Sequence, residues 1–197
     1  MSRWRRAARR SAWVLLAAGI LALGYAAYVV ADAKAYQASE LRRFEEARQT
    51  PALTRAPVPA EDGSIGEIAI ARLGLTAMVV QGDSPAVLRR AVGHLADTAL
   101  PGEAGNVVLA GHRDTFFRPL KRIRAGDLIV LKTRGGDFEY RVESTSIVAP
   151  TDVEVLQPTG GRTLTLVTCY PFSYLGSAPD RFIVHARQTG GRTWSRF

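Results

Sequence analysis

The chain has 197 residues, with 26 Lys+Arg against 18 Asp+Glu for a net charge of +8, and a single cysteine. One cysteine excludes an internal disulfide framework. The basicity does not point to nucleic acid: residues 1–60 hold 10 Lys+Arg against 4 Asp+Glu and the rest of the chain 16 against 14, so the excess charge belongs to the N-terminal end and not to a domain face.

Residues 1–10 contain Arg3, Arg5, Arg6, Arg9 and Arg10, and residues 11–31 carry no charge over 21 positions. At about 1.5 Å per residue that stretch spans roughly 30 Å, the thickness of bilayer hydrocarbon. A cleaved signal peptide begins in the same way, but its apolar region runs only about 7–15 residues. The stretch is therefore expected to remain as a single transmembrane helix in the plasma or inner membrane. Only Lys34 lies close behind it, so the positive-inside rule places residues 1–10 in the cytoplasm, beside anionic headgroups, and everything after Ala31 outside.

Residues 32–60 continue as a charged, helix-forming stalk and then a spacer in which Pro51, Pro57 and Pro59 break the helix. From residue 61 the texture changes to short apolar runs between Gly, Asp and Pro. Strands are expected at 66–71, 76–81, 106–111, 127–132, 138–148, 164–169 and 181–186. The TRGGD segment at 133–137 reads as a hairpin turn. Short helices are expected at 84–91, where Ser84 caps and Pro85 takes the first helical position, and at 117–123 and 152–156. Many short strands with few short helices predict a mostly β, closed or nearly closed barrel over residues 61–190, with 191–197 as a tail.

Cys169 ends the strand TLTLVTC. Leu164 and Leu166 share one face of that strand, while Cys169 falls on the other with Thr165 and Val167. An inert buried thiol and an intermolecular disulfide both remain open, but a lone exported thiol is best explained by chemistry. A thiol nucleophile needs a proton carrier and a group that meets negative charge on a carbonyl oxygen. Three histidines compete. His112 closes the strand NVVLA and opens GHRDTFF at a rim, His94 sits in VGHLADTALPG, and His185 lies mid-strand in RFIVHA. Arg181 begins a strand directly after the loop that leaves Cys169.

Taken in order, GHRDTFF, LTLVTCYPF and APDRFIVHA resemble the sortase family, and the wording of the last two leans toward class D. The likeness spans about residues 64–187. It implies an eight-stranded β-barrel, so one strand beyond the seven is expected, near 91–95. It also implies a cysteine transpeptidase with His112, Cys169 and Arg181 around one groove. The substrate would be a Leu-Pro-X-Thr-Gly-like C-terminal sorting signal cleaved after Thr through a thioacyl-enzyme. The acceptor would be an amine, on a peptidoglycan precursor or a pilin lysine. Thr168, Tyr170, Val155 and Leu156 are candidate substrate contacts, with Pro171, Phe172 and Tyr174 beside them, and Asp114 and His94 are candidate supports. No metal-ligand spacing is present and no cofactor is expected. An exported cysteine hydrolase on the same triad and a membrane-tethered β-domain that only binds a partner are the alternatives. An L,D-transpeptidase is disfavoured, because its Ser-His-Gly-Cys motif is absent.

Overall fold

The computed structural model describes residues 2–49, 63–157, 160–173 and 176–193. The Pro-rich spacer at 51–60, Tyr174 and residues 194–197 lie outside the described residues. The chain divides into two compact units, Met1–Tyr36 and Gln37–Phe197. The segments expected to form anchor and stalk both lie in one helix, α1 (Ser2–Gln49). Within the first unit, Trp13, Leu15, Leu21, Leu23 and Tyr28 are exposed, an apolar surface of the kind that marks a membrane or partner contact. Among the described residues this helix is long and apolar enough to cross a membrane.

In the second unit, the end of α1 packs with the barrel. Phe44 is 5% exposed. Gln37 Nε2 donates to the Arg90 carbonyl, and its Oε1 accepts from the Met78 N–H, both at 2.7 Å. Arg48 pairs with Asp137 at 2.9 Å and lies over the Phe44 ring.

Eight strands close the barrel: β1 (Ser64–Ile70), β2 (Leu75–Gln81), β3 (Val92–His94), β4 (Gly105–Ala110), β5 (Leu128–Thr133), β6 (Gly136–Val148), β7 (Arg162–Tyr170) and β8 (Asp180–Thr193). Around the barrel they run β1-β2-β3-β4-β7-β8-β6-β5. The pairs β2/β3 and β4/β7 are parallel and the others antiparallel. The strand sought near 91–95 is β3. Ser84 accepts from the Val87 N–H and Pro85 opens α2 (Pro85–Arg90), a side-chain cap followed by a residue with no N–H to orphan. The segments expected as short helices at 117–123 and 152–156 hold 3-10 turns, Arg118–Arg122 and Glu154–Leu156. The hairpin turns at Arg134 and Gly135, with Lys132 opposite Asp137.

β8 runs past the expected end of the domain at residue 190. Within this extension Gly190 and Gly191 pair with Glu139 and Phe138 of β6. A β-carbon on Gly191 would come within 3.1 Å of the Phe138 ring, so the glycines leave room for their neighbours and the strand continues.

The core is filled by one face of each strand, with Ile68, Ile70, Leu109, Ile129, Tyr140, Leu164, Leu166 and Val184 buried together. Asn106, Val108 and Thr165 are also buried although their alternation points them outward. The segment between β6 and β7 reaches this outer face. There the Asn106 Nδ2 donates to the Leu156 carbonyl at 3.1 Å.

Candidate active site

β4 and β7 run in parallel register, with Val108 beside Thr165 and Ala110 beside Val167. The contact persists beyond the end of β4. The Gly111 N–H donates to the Val167 carbonyl at 3.1 Å, and the Thr168 hydroxyl donates to the Gly111 carbonyl at 2.7 Å. His112 therefore leaves β4 level with Cys169. On the other side, β8 runs antiparallel to β7 and sets Arg181 opposite Cys169, a pairing with Cα atoms about 4.5–5.5 Å apart. Cys169 thus occupies the middle of three neighbouring strand ends, with His112 to one side and Arg181 to the other. All three are half-buried, open to a substrate yet partly shielded from water.

Short-range packing holds the two flanking residues. A β-carbon on Gly111 would meet the fully buried Phe117 ring at 2.8 Å, so only glycine lets this ring close against the backbone before His112. The chain then turns back, with the Phe117 N–H donating to the His112 carbonyl at 3.0 Å. Arg113 Nη2 donates to the Gly176 carbonyl at 3.0 Å, tying the histidine loop to the loop after β7. The Arg181 guanidinium donates to the Asp180 and Ala178 carbonyls at 3.0 and 3.4 Å. Tyr170, Phe172 and Phe182 pack ring against ring, with centroids 5.3–6.3 Å apart, and so buttress the turn that carries Cys169 and Arg181. The Tyr170–Pro171 peptide bond is cis.

The expected substrate contacts divide. Thr168 and Tyr170 lie on the strand face opposite Cys169, since neighbours in sequence point to opposite sides of a strand. Thr168 is 2% exposed and its hydroxyl is committed to Gly111, while Tyr170 stacks on Phe182. Val155 and Leu156 are half-buried, and the Leu156 carbonyl accepts from Asn106, near the far end of β4 from His112. Asp114 is exposed.

The other two histidines are separate from the thiol. His94 is 1% exposed, with Nδ1 3.1 Å from Gln81 Oε1 and Nε2 2.9 Å from the Ala99 carbonyl. It lies on β3 inside the barrel wall, and burial lowers its pKa. His185 lies opposite Thr165 on the outer face that bears Cys169, and burial lowers its pKa as well. Among the described residues no group of three or more His, Cys, Asp and Glu side chains could hold a metal ion.

A sortase-domain family model matches residues 68–189. Among curated relatives, Sortase D of Bacillus subtilis is 31% identical over 88% of this chain and 95% of its own length. Sortase SrtE1 of Streptomyces coelicolor is 32% identical over 84% of this chain and 53% of its own length. The structure of a Clostridium perfringens Sortase D5 transpeptidase superposes with a TM-score of 0.66 at 29% identity, covering 81% of this chain and 99% of that one. Sortase E1 of Streptomyces coelicolor, solved with a tripeptide in its active site, gives 0.62 at 31% identity over 69% of this chain and 94% of that one.

Proposed function

This chain belongs to the sortase family of cysteine transpeptidases, and from that premise we propose that it is anchored by α1 with its N-terminus in the cytoplasm and joins exported proteins to an amine at the cell surface. The observation that carries this reading is the line formed by His112, just past the end of β4, Cys169 near the end of β7 and Arg181 near the start of β8.

In this reading the Cys169 thiolate attacks the Thr carbonyl of a Leu-Pro-X-Thr-Gly-like sorting signal. Arg181, always charged, donates hydrogen bonds to the oxygen on which negative charge develops. The Thr–Gly bond breaks, His112 as imidazolium protonates the departing Gly amine, and a thioacyl-enzyme remains. An amine from a peptidoglycan precursor or a pilin lysine then attacks that thioester, and neutral His112 takes up its proton. Because Arg181 already bonds two carbonyls of its own turn, it reaches the substrate from a fixed base.

The test is intact-mass spectrometry of the full chain in detergent micelles with a Leu-Pro-Ala-Thr-Gly peptide and a free amine. An adduct that disappears in Cys169→Ala, followed by an amine-linked product, supports the reading. An adduct released only as free acid, at saturating concentrations of several amines, replaces it with a hydrolase.

A further inference from the structure

The outer face of β7 and β8 can be read as a row of cross-strand pairs leading away from the thiol. Cys169 stands opposite Arg181, then Val167 opposite Ile183, then Thr165 opposite His185. Successive same-face pairs are about 6.7 Å apart, so the third lies about 13 Å from the first. An extended peptide has the same repeat. With Thr at Cys169 and the Leu-Pro portion running toward Leu156, Pro lies over the apolar second pair. The residue just before Leu, four positions from Thr, falls over the third; polyproline geometry near Pro shortens the path only to about 12 Å.

That third pair is polar, and its hydrogen bonds have a direction. Asn106 Nδ2 donates to the Leu156 carbonyl at 3.1 Å, which fixes the amide with Oδ1 facing β7. Oδ1 accepts from the Thr163 and Thr165 hydroxyls at 3.2 and 2.9 Å. The Thr165 hydrogen is thereby used, and its oxygen can only accept from His185 Nδ1, 3.5 Å away. A neutral imidazole with its proton on Nδ1 presents a bare lone pair at Nε2. Burial favours that neutral form. The nearby charges Glu143 of β6 and Arg187 of β8 are paired with each other at 2.6 Å, so neither reserves the imidazole.

We propose that His185 is a specificity-determining residue whose Nε2 accepts a hydrogen bond from an N–H or O–H side chain at the position before Leu in the sorting signal. This rests on the reading of the groove given above. Leu156, through its carbonyl, links the specificity residue to the segment expected to wall the Leu-Pro portion.

The experiment uses the full chain in detergent micelles and single-turnover acylation of Cys169 by Leu-Pro-Ala-Thr-Gly peptides preceded by Gln, Met or Glu. These three side chains are close in size, but only Gln donates. The expected result is about a five- to tenfold advantage in kcat/KM for Gln over both others, the worth of roughly one neutral hydrogen bond. It should appear in KM with kcat unchanged, and it should vanish in His185→Phe. Nitrogen-15 NMR of the wild-type chain should find His185 protonated on Nδ1 alone, a readout independent of whether the variant folds. Equal use of the three peptides, a preference for Glu, or a proton on Nε2 overturns the inference. Acylation by none of them overturns the substrate reading, and with it this inference.

Discussion

Thr168 offers the sharpest test of how the histidine is held. Its hydroxyl is buried at 2% residue exposure and donates to Gly111, one peptide bond before His112. Thr168→Val keeps the shape and removes the donor. The lost bond and the buried carbonyl left with one partner fewer cost about 1–3 kcal/mol, and the added methyl returns up to about 0.8 kcal/mol. The net loss falls between about 0.2 and 3 kcal/mol. Thr168→Ser keeps the donor but deletes a buried methyl, at a comparable cost of about 1 kcal/mol. The Thr168→Val range brackets the Thr168→Ser cost, while the two variants are opposed in hydrogen bonding. A catalytic group displaced by about 1 Å loses on the order of 10²-fold in rate. Single-turnover acylation is accordingly expected to fall about 10- to 100-fold in Thr168→Val and less than about threefold in Thr168→Ser. Urea unfolding measures the stability change, and iodoacetamide labelling checks that Cys169 stays accessible. If both variants acylate at the same rate, whether unimpaired or equally slowed, the bond to Gly111 does not position His112.

Three further outcomes follow from the packing. Gly111→Ala places a β-carbon 2.8 Å from the Phe117 ring; overpacking should cost about 1–3 kcal/mol in urea unfolding, with acylation falling further than stability alone explains. His94 is held neutral by burial, with its pKa below the ordinary value of about 6.5. The unfolded chain then binds the extra proton first, so stability should be full above about pH 6.5 and decline toward the folded pKa by at most about 1.4 kcal/mol per pH unit. Urea titrations at pH 7.5 and 5.5 should show that decline in the wild-type chain and a smaller one in His94→Asn. Phe44→Ala removes a buried ring from the end of α1, where full loss of such packing costs about 3–5 kcal/mol and undocking of the helix end sets the ceiling; trypsin should then cut faster after Arg42, Arg43 and Arg48.

Much of this protein could be read from local pattern, because local physics determines it. An uncharged run of 21 residues behind five arginines marks an apolar helix without reference to anything else in the chain. Alternation in TLTLVTC placed Cys169 opposite the leucines, and the same period of two sets Thr168 and Tyr170 on the face opposite Cys169. Ser84-Pro85 and the short TRGGD turn likewise depend only on neighbouring residues. The glycine immediately before His112 was the available signal for a close approach, but the ring it admits, Phe117, could not be named from spacing.

What alternation cannot supply is strand order. The parallel pairing of β4 with β7 brings His112 level with Cys169 across more than fifty residues, and the antiparallel return of β8 sets Arg181 on the other flank. The docking of Phe44 and Gln37 on the barrel, the passage of β8 through Gly190 and Gly191, and the directed relay from Leu156 to His185 are also products of assembly. Each joins groups distant in sequence, whose cost in chain entropy is met only when the closed barrel forms as a whole. The sequence by itself determined the long apolar helix, the strands and the face on which the thiol would lie. The tertiary structure decided what stands beside that thiol, because only strand order brings distant residues into register.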